Sequence, residues 1–169
     1  MTNAERFAPL AGRLPGPPPI DPSQVPEGHP LHDTVPQRVD SVPGRYTVVI
    51  SDAWRIFYAF GGMTMAAAVR AAVSAVDRRD LHLLTADATF CQAVPCGPVA
   101  MQVEVLRQGR TGAQAQVRLW ALDPADPNPA GPVGNDLIVT CVFGTRSDSP
   151  FEFRGAAAPS VGDPASYAP

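Results

Sequence analysis

Three groups of residues stand out for the chemistry that their types and spacing permit. The first is Phe60-Gly61-Gly62-Met63-Thr64, which opens an Ala/Met/Val stretch running to Val76. Glycines at the start of a helix put backbone N–H groups with no intrahelical partner at its N-terminus. The helix dipole favours negative charge there, so the amides of Gly61, Gly62 and Met63 are candidates to hold a developing oxyanion. Glycine also lets a carbonyl approach closely. Thr64 adds a hydroxyl in the first turn, whose plainer role is a cap. The second group is carboxylates. Asp87 shares one strand face with Thr85 and Thr89 and is the first candidate to activate a water. A buried, unpaired carboxylate is raised toward the range that suits a general base. Its plainer reading is a solvent-facing strand residue or a partner for Arg70. Asp52, just before an aromatic connector, is the second candidate; its plainer reading is a turn or edge carboxylate. The third group is Trp54, Phe57, Tyr58 and Phe60, which cluster around the helix entrance. They line an apolar slot or pack the core.

Other chemistries find less support. The 13 basic residues are all arginine, and the absence of lysine excludes a Schiff-base lysine, a lysine base and a Walker-type phosphate loop. No Gly-x-Ser-x-Gly elbow is present. His82, Cys91 and Cys96 match no common zinc spacing, so no metal is expected, and Cys141 reads as a small core residue. Arg107 and Arg110 flank a turn where they can meet a phosphate or simply be solvated.

Composition sets the frame for these groups. The 169 residues, 45% apolar and 17% charged, suffice for one domain of ordinary size. The net charge of −3 gives no reason to expect nucleic acid as a partner. No apolar run has the length of a membrane span, and the N-terminus lacks the pattern of a secretion signal. Three cysteines make no disulfide framework, so a reducing cytoplasm is the expected compartment.

The elements that must position the candidates follow from periodicity. Ten of the 20 prolines fall within residues 1–44, which read as an extension that excludes regular helix and central strand. Its ordering would come from lying across the domain or a partner. Residues 147–169 read as a second tail, leaving 45–146 as the folded domain. Tyr46–Trp54 alternates as a strand. Met63–Val76 has the composition of a helix buried nearly all round, with Arg70, Ser74 and Asp77 on a narrow polar stripe. Leu81–Val94 reads as a strand with Leu83, Thr85, Asp87, Thr89 and Cys91 on one side and Leu84, Ala86, Ala88 and Phe90 on the other. Val99–Arg107 and Ala113–Leu122 form a hairpin around Gln108–Gly112, and Leu137–Arg146 is the last strand. The expected fold is α+β, an antiparallel sheet curled around one central apolar helix.

From Phe60 to Gly144 the sequence resembles the hotdog-fold acyl-CoA thioesterases, in particular the thioesterase II-like branch. The resemblance rests on Phe60-Gly-Gly before an Ala-rich helix, on Thr85-Ala-Asp-Ala-Thr-Phe90, and most specifically on Val103-Glu-Val-Leu-Arg-Gln-Gly-Arg110. It implies hydrolysis of an acyl-CoA or acyl-carrier-protein thioester, with no cofactor. It implies Gly61, Gly62 and Met63 as oxyanion donors, with Thr64 beside them; Asp87, then Asp52, are the substitutes this chain offers as the base. Trp54, Phe57, Tyr58, Phe60, Gly61, Thr85 and Arg110 would then be substrate contacts. Many hotdog thioesterases carry a carboxylate two turns into the helix, where this chain has Ala68-Val69-Arg70-Ala71-Ala72. That departure keeps open a non-catalytic acyl-binding or structural subunit. A dehydratase or hydratase reading needs His29, His32 or His82 near the helix start. Thioesterase II-like chains join two such units, whereas one is read here, so the resemblance implies a homodimer or a dimer of dimers. An exposed edge strand favours pairing on physical grounds as well.

Overall fold

Proline-poor, alternating segments and one Ala-rich segment resolve, in a computed structural model, into a single antiparallel sheet packed on one long helix. Residues 25–125 and 127–145 are described; the expectations for 1–24 and 147–169 fall outside them. In chain order the elements are α1 (Pro30–Asp33), β1 (Gln37–Arg38), β2 (Arg45–Ile50), a 3-10 turn (Asp52–Trp54), α2 (Gly61–Val76), β3 (His82–Phe90), β4 (Gly97–Gln108), β5 (Gly112–Ala121) and β6 (Leu137–Gly144). The strands lie in the order β1-β2-β4-β5-β6-β3, each pair antiparallel. β3 therefore forms one edge of the sheet.

Alternation decides which face of the sheet meets α2. Tyr46, Val48 and Ile50 of β2, Val99, Met101 and Val103 of β4, Ala113, Ala115, Val117 and Leu119 of β5, and Leu137, Val139, Cys141 and Phe143 of β6 form one buried face. They pack against Ala67, Ala68, Ala71, Ala72 and Val76 of α2, which are themselves buried. Alanines at the contact let the helix approach the sheet closely. Each fully buried branched side chain, such as Leu119, contributes about 1.5–3 kcal/mol. The helix ends at Asp77, whose φ of 47° puts it in the left-handed region. Gln108 Nε2 then donates to the Val76 carbonyl at 3.1 Å.

Three local expectations change. The helix is not covered all round, because the sheet takes one side and leaves an apolar stripe of Ala66, Val69 and Val73 at least partly open, with Val73 50% exposed. β3 also differs in parity. A bulge between Leu83 and Thr85 brings Leu83, Ala86 and Ala88 together against the core and turns Thr85, Asp87 and Thr89 outward. The first strand is shorter than its sequence pattern, since Ser51 leaves the sheet and caps the 3-10 turn by accepting from the Ala53 N–H.

Within the proline-rich extension, residues 25–44 lie across the domain. His29 Nδ1 accepts from the Leu31 N–H, and Pro30 takes the first helical position, where a missing N–H costs nothing. β1 is a two-residue edge strand, a place where neighbouring prolines are tolerated.

Candidate functional site

The N-terminus of α2 opens on a groove of about 530 Å³ lined by Tyr58, Ala59, Gly61, Thr64, Phe90, Cys91, Gln92, Ala93 and Val94. That volume lies within the range of small-molecule sites. Its walls come from three elements: the aromatic connector, the first turn of α2, and the loop leaving β3. Two main-chain contacts fix the loop. The N–H groups of Cys91 and Gln92 both donate to the Asp136 carbonyl, at 2.8 and 3.0 Å, and the Ala59 N–H donates to the Val94 carbonyl at 2.9 Å.

The helix start has a specific pattern of used and unused amides. The Met63 N–H donates to the Phe60 carbonyl at 2.9 Å, and the Thr64 N–H reaches the same oxygen at 3.4 Å. The Gly61 and Gly62 N–H groups have no partner among the described residues. The amides that the geometry leaves free are thus Gly61 and Gly62, whereas the Met63 amide is engaged. Thr64 is buried, and its hydroxyl donates back to the Gly61 carbonyl at 3.0 Å, so it caps no N–H of the helix start. Both glycines stand where a larger residue would meet an aromatic ring. A Cβ on Gly61 would lie 3.0 Å from the Phe90 ring, and one on Gly62 would lie 2.7 Å from the Phe60 ring.

The carboxylates fall elsewhere. Asp87 is exposed on the outer face of β3 with Thr85, turned away from α2, so neither residue lines the groove. The cause is the bulge, which hands the inner face to Ala86, Ala88 and Phe90. Asp52 is exposed and paired with Arg55 at 2.5 Å, and that hydrogen bond raises the Arg55 pKa. Among the described residues, no carboxylate and no histidine lines the groove. Arg70, at the helix position where the resemblance implies a carboxylate, donates to the Leu31 carbonyl at 3.1 Å and to Thr34 Oγ1 at 2.8 Å.

The aromatic cluster divides. Tyr58 lines the groove, and Phe60 stands beside Gly62 at its mouth. Phe57 is 87% exposed and points away from the core, with Ile56 beside it. Trp54 packs against the core and donates its indole N–H to Asp33 at 2.8 Å, so it supports the connector and does not line the groove. Arg107 and Arg110 sit with the β4–β5 turn in a separate polar groove of about 300 Å³. The turn is latched by Arg78, which donates to the Gly109 and Arg110 carbonyls. This is the C-terminal end of α2, whose 16 residues span about 24 Å at about 1.5 Å each, so one chain does not bring Arg110 to Gly61.

His82 and Cys91 stand at opposite ends of β3, and no group of metal-ligating side chains occurs among the described residues. Residues that sequence reasoning did not place at the site are Ala59, Phe90, Cys91, Gln92, Ala93 and Val94. The strand expected over Leu81–Val94 ends at Phe90, and residues 91–94 leave the sheet as a loop tied to Asp136 and Ala59, which brings it to the helix. Asp33 was hidden as well, in a segment whose prolines signalled only irregular chain.

Comparison with known proteins follows this geometry. The family described as acyl-CoA thioesterase N-terminal domain matches residues 50–144, more than half of the chain. Among curated proteins there is no match. The fold is similar to that of a thioesterase II candidate from Thermobifida fusca YX, at TM-score 0.64 and 22% identity over 82% of this chain and 47% of that one. It is similar to a protein of unknown function with a hot dog fold from Alicyclobacillus acidocaldarius, at TM-score 0.62 and 21% identity over 79% and 46%. It is also similar to the acyl-CoA thioesterase II TesB2 of Mycobacterium marinum, at TM-score 0.59 and 16% identity over 81% and 46%. The chain spans about half the length of these structures. The shared architecture is the hotdog fold, an antiparallel sheet on one long helix.

Proposed function

From the premise that this chain belongs to the acyl-CoA thioesterase N-terminal domain family, we propose that it binds an acyl thioester at the α2 N-terminus and hydrolyses it. The observation that carries this reading is the pair of unpartnered amides, Gly61 and Gly62, at the edge of an apolar groove. The thioester carbonyl oxygen sits between the two N–H groups, and the acyl chain runs along Phe90, Ala93 and Val94. Water adds to the carbonyl carbon and the carbonyl oxygen becomes an oxyanion. The amides and the helix dipole stabilise that charge as it develops. The attacking water gives up a proton as it adds; collapse breaks the C–S bond, and the expelled thiolate takes up that proton, so a carboxylic acid and a thiol are released. Gln92, the polar side chain on the loop wall, is suited to orient the water, because its amide both donates and accepts. The substrate is an acyl-CoA or an acyl-carrier-protein thioester.

A homodimer or a dimer of dimers belongs to the same reading. The open stripe on α2 and the free edge of β3 suit a second copy of this chain. In an antiparallel β3–β3 pairing, the partner's turn end comes to the groove end of this chain. This is the arrangement in which Arg110 would approach a carrier phosphate.

One observation favours a second reading. With neither carboxylate nor histidine on the groove wall among the described residues of one chain, the site suits an acyl-binding or structural subunit that grips a thioester without turning it over. The hydratase reading loses its residues, since His29, His32 and His82 all lie off the groove wall. Thiol release measured across acyl-CoA chain lengths tests the hydrolase. Turnover that falls when Gln92 becomes Ala is the expected result. Saturable binding of a thioether analogue without turnover of any thioester selects the second reading.

A further inference from the structure

We propose that Asp33 is a positioning residue for the Gly61 and Gly62 amides, acting through Trp54 and Phe60; this rests on the reading of those amides as the thioester-binding site. Asp33 is 2% exposed, unusual for a carboxylate, and its burial is compensated by three hydrogen bonds. Its Oδ2 accepts from the Trp54 indole N–H at 2.8 Å and from the Gly28 N–H at 3.0 Å, and its Oδ1 lies 2.7 Å from His32 Nδ1. Gly28, with φ of 84°, passes so close to the 3-10 turn that a Cβ there would lie 3.1 Å from Ala53. The segment from Gly28 to Thr34 is thus a brace held against the residues that lead to the helix.

The brace grips both sides of the groove entrance. On the connector side, the Trp54 carbonyl accepts from the Phe60 N–H at 2.9 Å, and Phe60 is the residue whose own carbonyl receives the Met63 N–H. A continuous series of hydrogen bonds therefore runs from Asp33 through Trp54 to Phe60, and its last member engages Met63 while leaving Gly61 and Gly62 free. On the helix side, Arg70 holds the Leu31 carbonyl and the Thr34 hydroxyl, and Thr34 Oγ1 donates back to the Pro30 carbonyl at 2.6 Å. The connector and the body of α2 are separated in sequence by the turn they enclose, and the brace fixes one against the other. Displacement of an oxyanion donor by about 1 Å costs on the order of 100-fold in rate. A buried carboxyl held by an indole, a backbone amide and a neighbouring imidazole resists that displacement.

The test compares Asp33→Ala, Asp33→Asn and Trp54→Phe in the full chain. Asparagine keeps an acceptor oxygen for the indole, whereas alanine and phenylalanine each break the bond. The expected result is a shift of the Trp54 indole signal in Asp33→Ala, and a shift of the Gly61 and Gly62 amide signals in nitrogen-15 spectra of both Asp33→Ala and Trp54→Phe, the latter having no indole at position 54. Both signals should return toward wild type in Asp33→Asn. In the thioester assay, kcat should fall at least tenfold in the first two variants with KM within about threefold, and Asp33→Asn should recover most of the loss. Should Asp33→Ala fail to fold, Trp54→Phe carries the same comparison. The proposal is overturned if the Trp54 indole signal moves while the Gly61 and Gly62 amides stay in place, or if kcat is unchanged in a folded Trp54→Phe. Failure of wild type to bind or cleave any thioester overturns the site reading instead, and the amide signals still decide the coupling.

Discussion

At the scale of single residues, the site depends on what is missing from side chains as much as on what is present. Gly61 lines the groove with its backbone, and a Cβ there would press on the Phe90 ring, which is half-exposed and free to swing. Gly61→Val should therefore change melting by little, less than about 1 kcal/mol, while narrowing the groove and lowering kcat/KM at least tenfold. Steady-state thiol release beside a thermal melt checks both halves. Asp87→Asn should leave turnover within about twofold, because that side chain faces solvent on the outer sheet face. A large loss would mean that a second copy folds over that face. The cysteines offer a pH test. Burial pushes the Cys141 thiol from 9.0 to about 11, while Cys91 is exposed on the groove wall. A maleimide at pH 8 should label Cys91 and spare Cys141, and a bound thioether analogue should protect Cys91. The sign for stability follows from where protons are held. Below pH 9 both folded and unfolded Cys141 are neutral and contribute nothing. Between pH 9 and 11 the unfolded thiol ionises first, so stability falls as pH rises. Denaturant midpoints at pH 8 and 10, with and without Cys141→Ala, read this difference.

At the scale of elements, the helix and the sheet meet through alanine. Ala67, Ala68, Ala71 and Ala72 are fully buried, and no space is left for a longer side chain. Ala71→Leu should destabilise the domain by about 1–3 kcal/mol through overpacking, seen as a lower urea midpoint at unchanged slope. The helix itself was legible in composition, since an alanine-rich run without proline has few other ways to fold. The strand faces of β4, β5 and β6 were legible as well, because their branched residues alternate with Gln, Glu and Arg. β3 was not. Strict alternation puts Leu83 on the same face as Thr85, Asp87 and Thr89. A one-residue bulge between Leu83 and Thr85 breaks that parity. Leu83 therefore faces the core with Ala86 and Ala88, while Asp87 faces outward. The brace was illegible for a different reason: nothing in Pro30-Leu31-His32-Asp33 signals that its last carboxylate will meet an indole 21 residues away.

At the scale of the molecule, one chain leaves apolar surface uncovered on the side of α2 opposite the sheet. Ala66, Val69 and Val73 on the helix, and Phe60 and Phe90 at the groove, lie at or near that surface. The proposed dimer would cover it. Val73→Asp should then yield a folded species of half the mass by light scattering, with near-native circular dichroism and weakened turnover. A wild-type monomer at micromolar concentration would remove the dimer from the proposal. No helix among the described residues is long and apolar enough to cross a membrane.

Local pattern settled which segments become helix and strand, since those choices follow from side-chain shape and alternation within a few residues. It also marked the Gly61-Gly62 helix start, because unpaired amides at a first turn are a property of any helix. Tertiary contact alone decided which way the carboxylates face and what holds the connector to α2. Those outcomes depend on partners distant in sequence: the β6 strand against which β3 bulges, the Trp54 indole drawn to Asp33, and Arg70 drawn to the proline-rich segment. A residue's neighbours along the chain carry no record of such partners, and burial assigns them only once the sheet has closed on the helix.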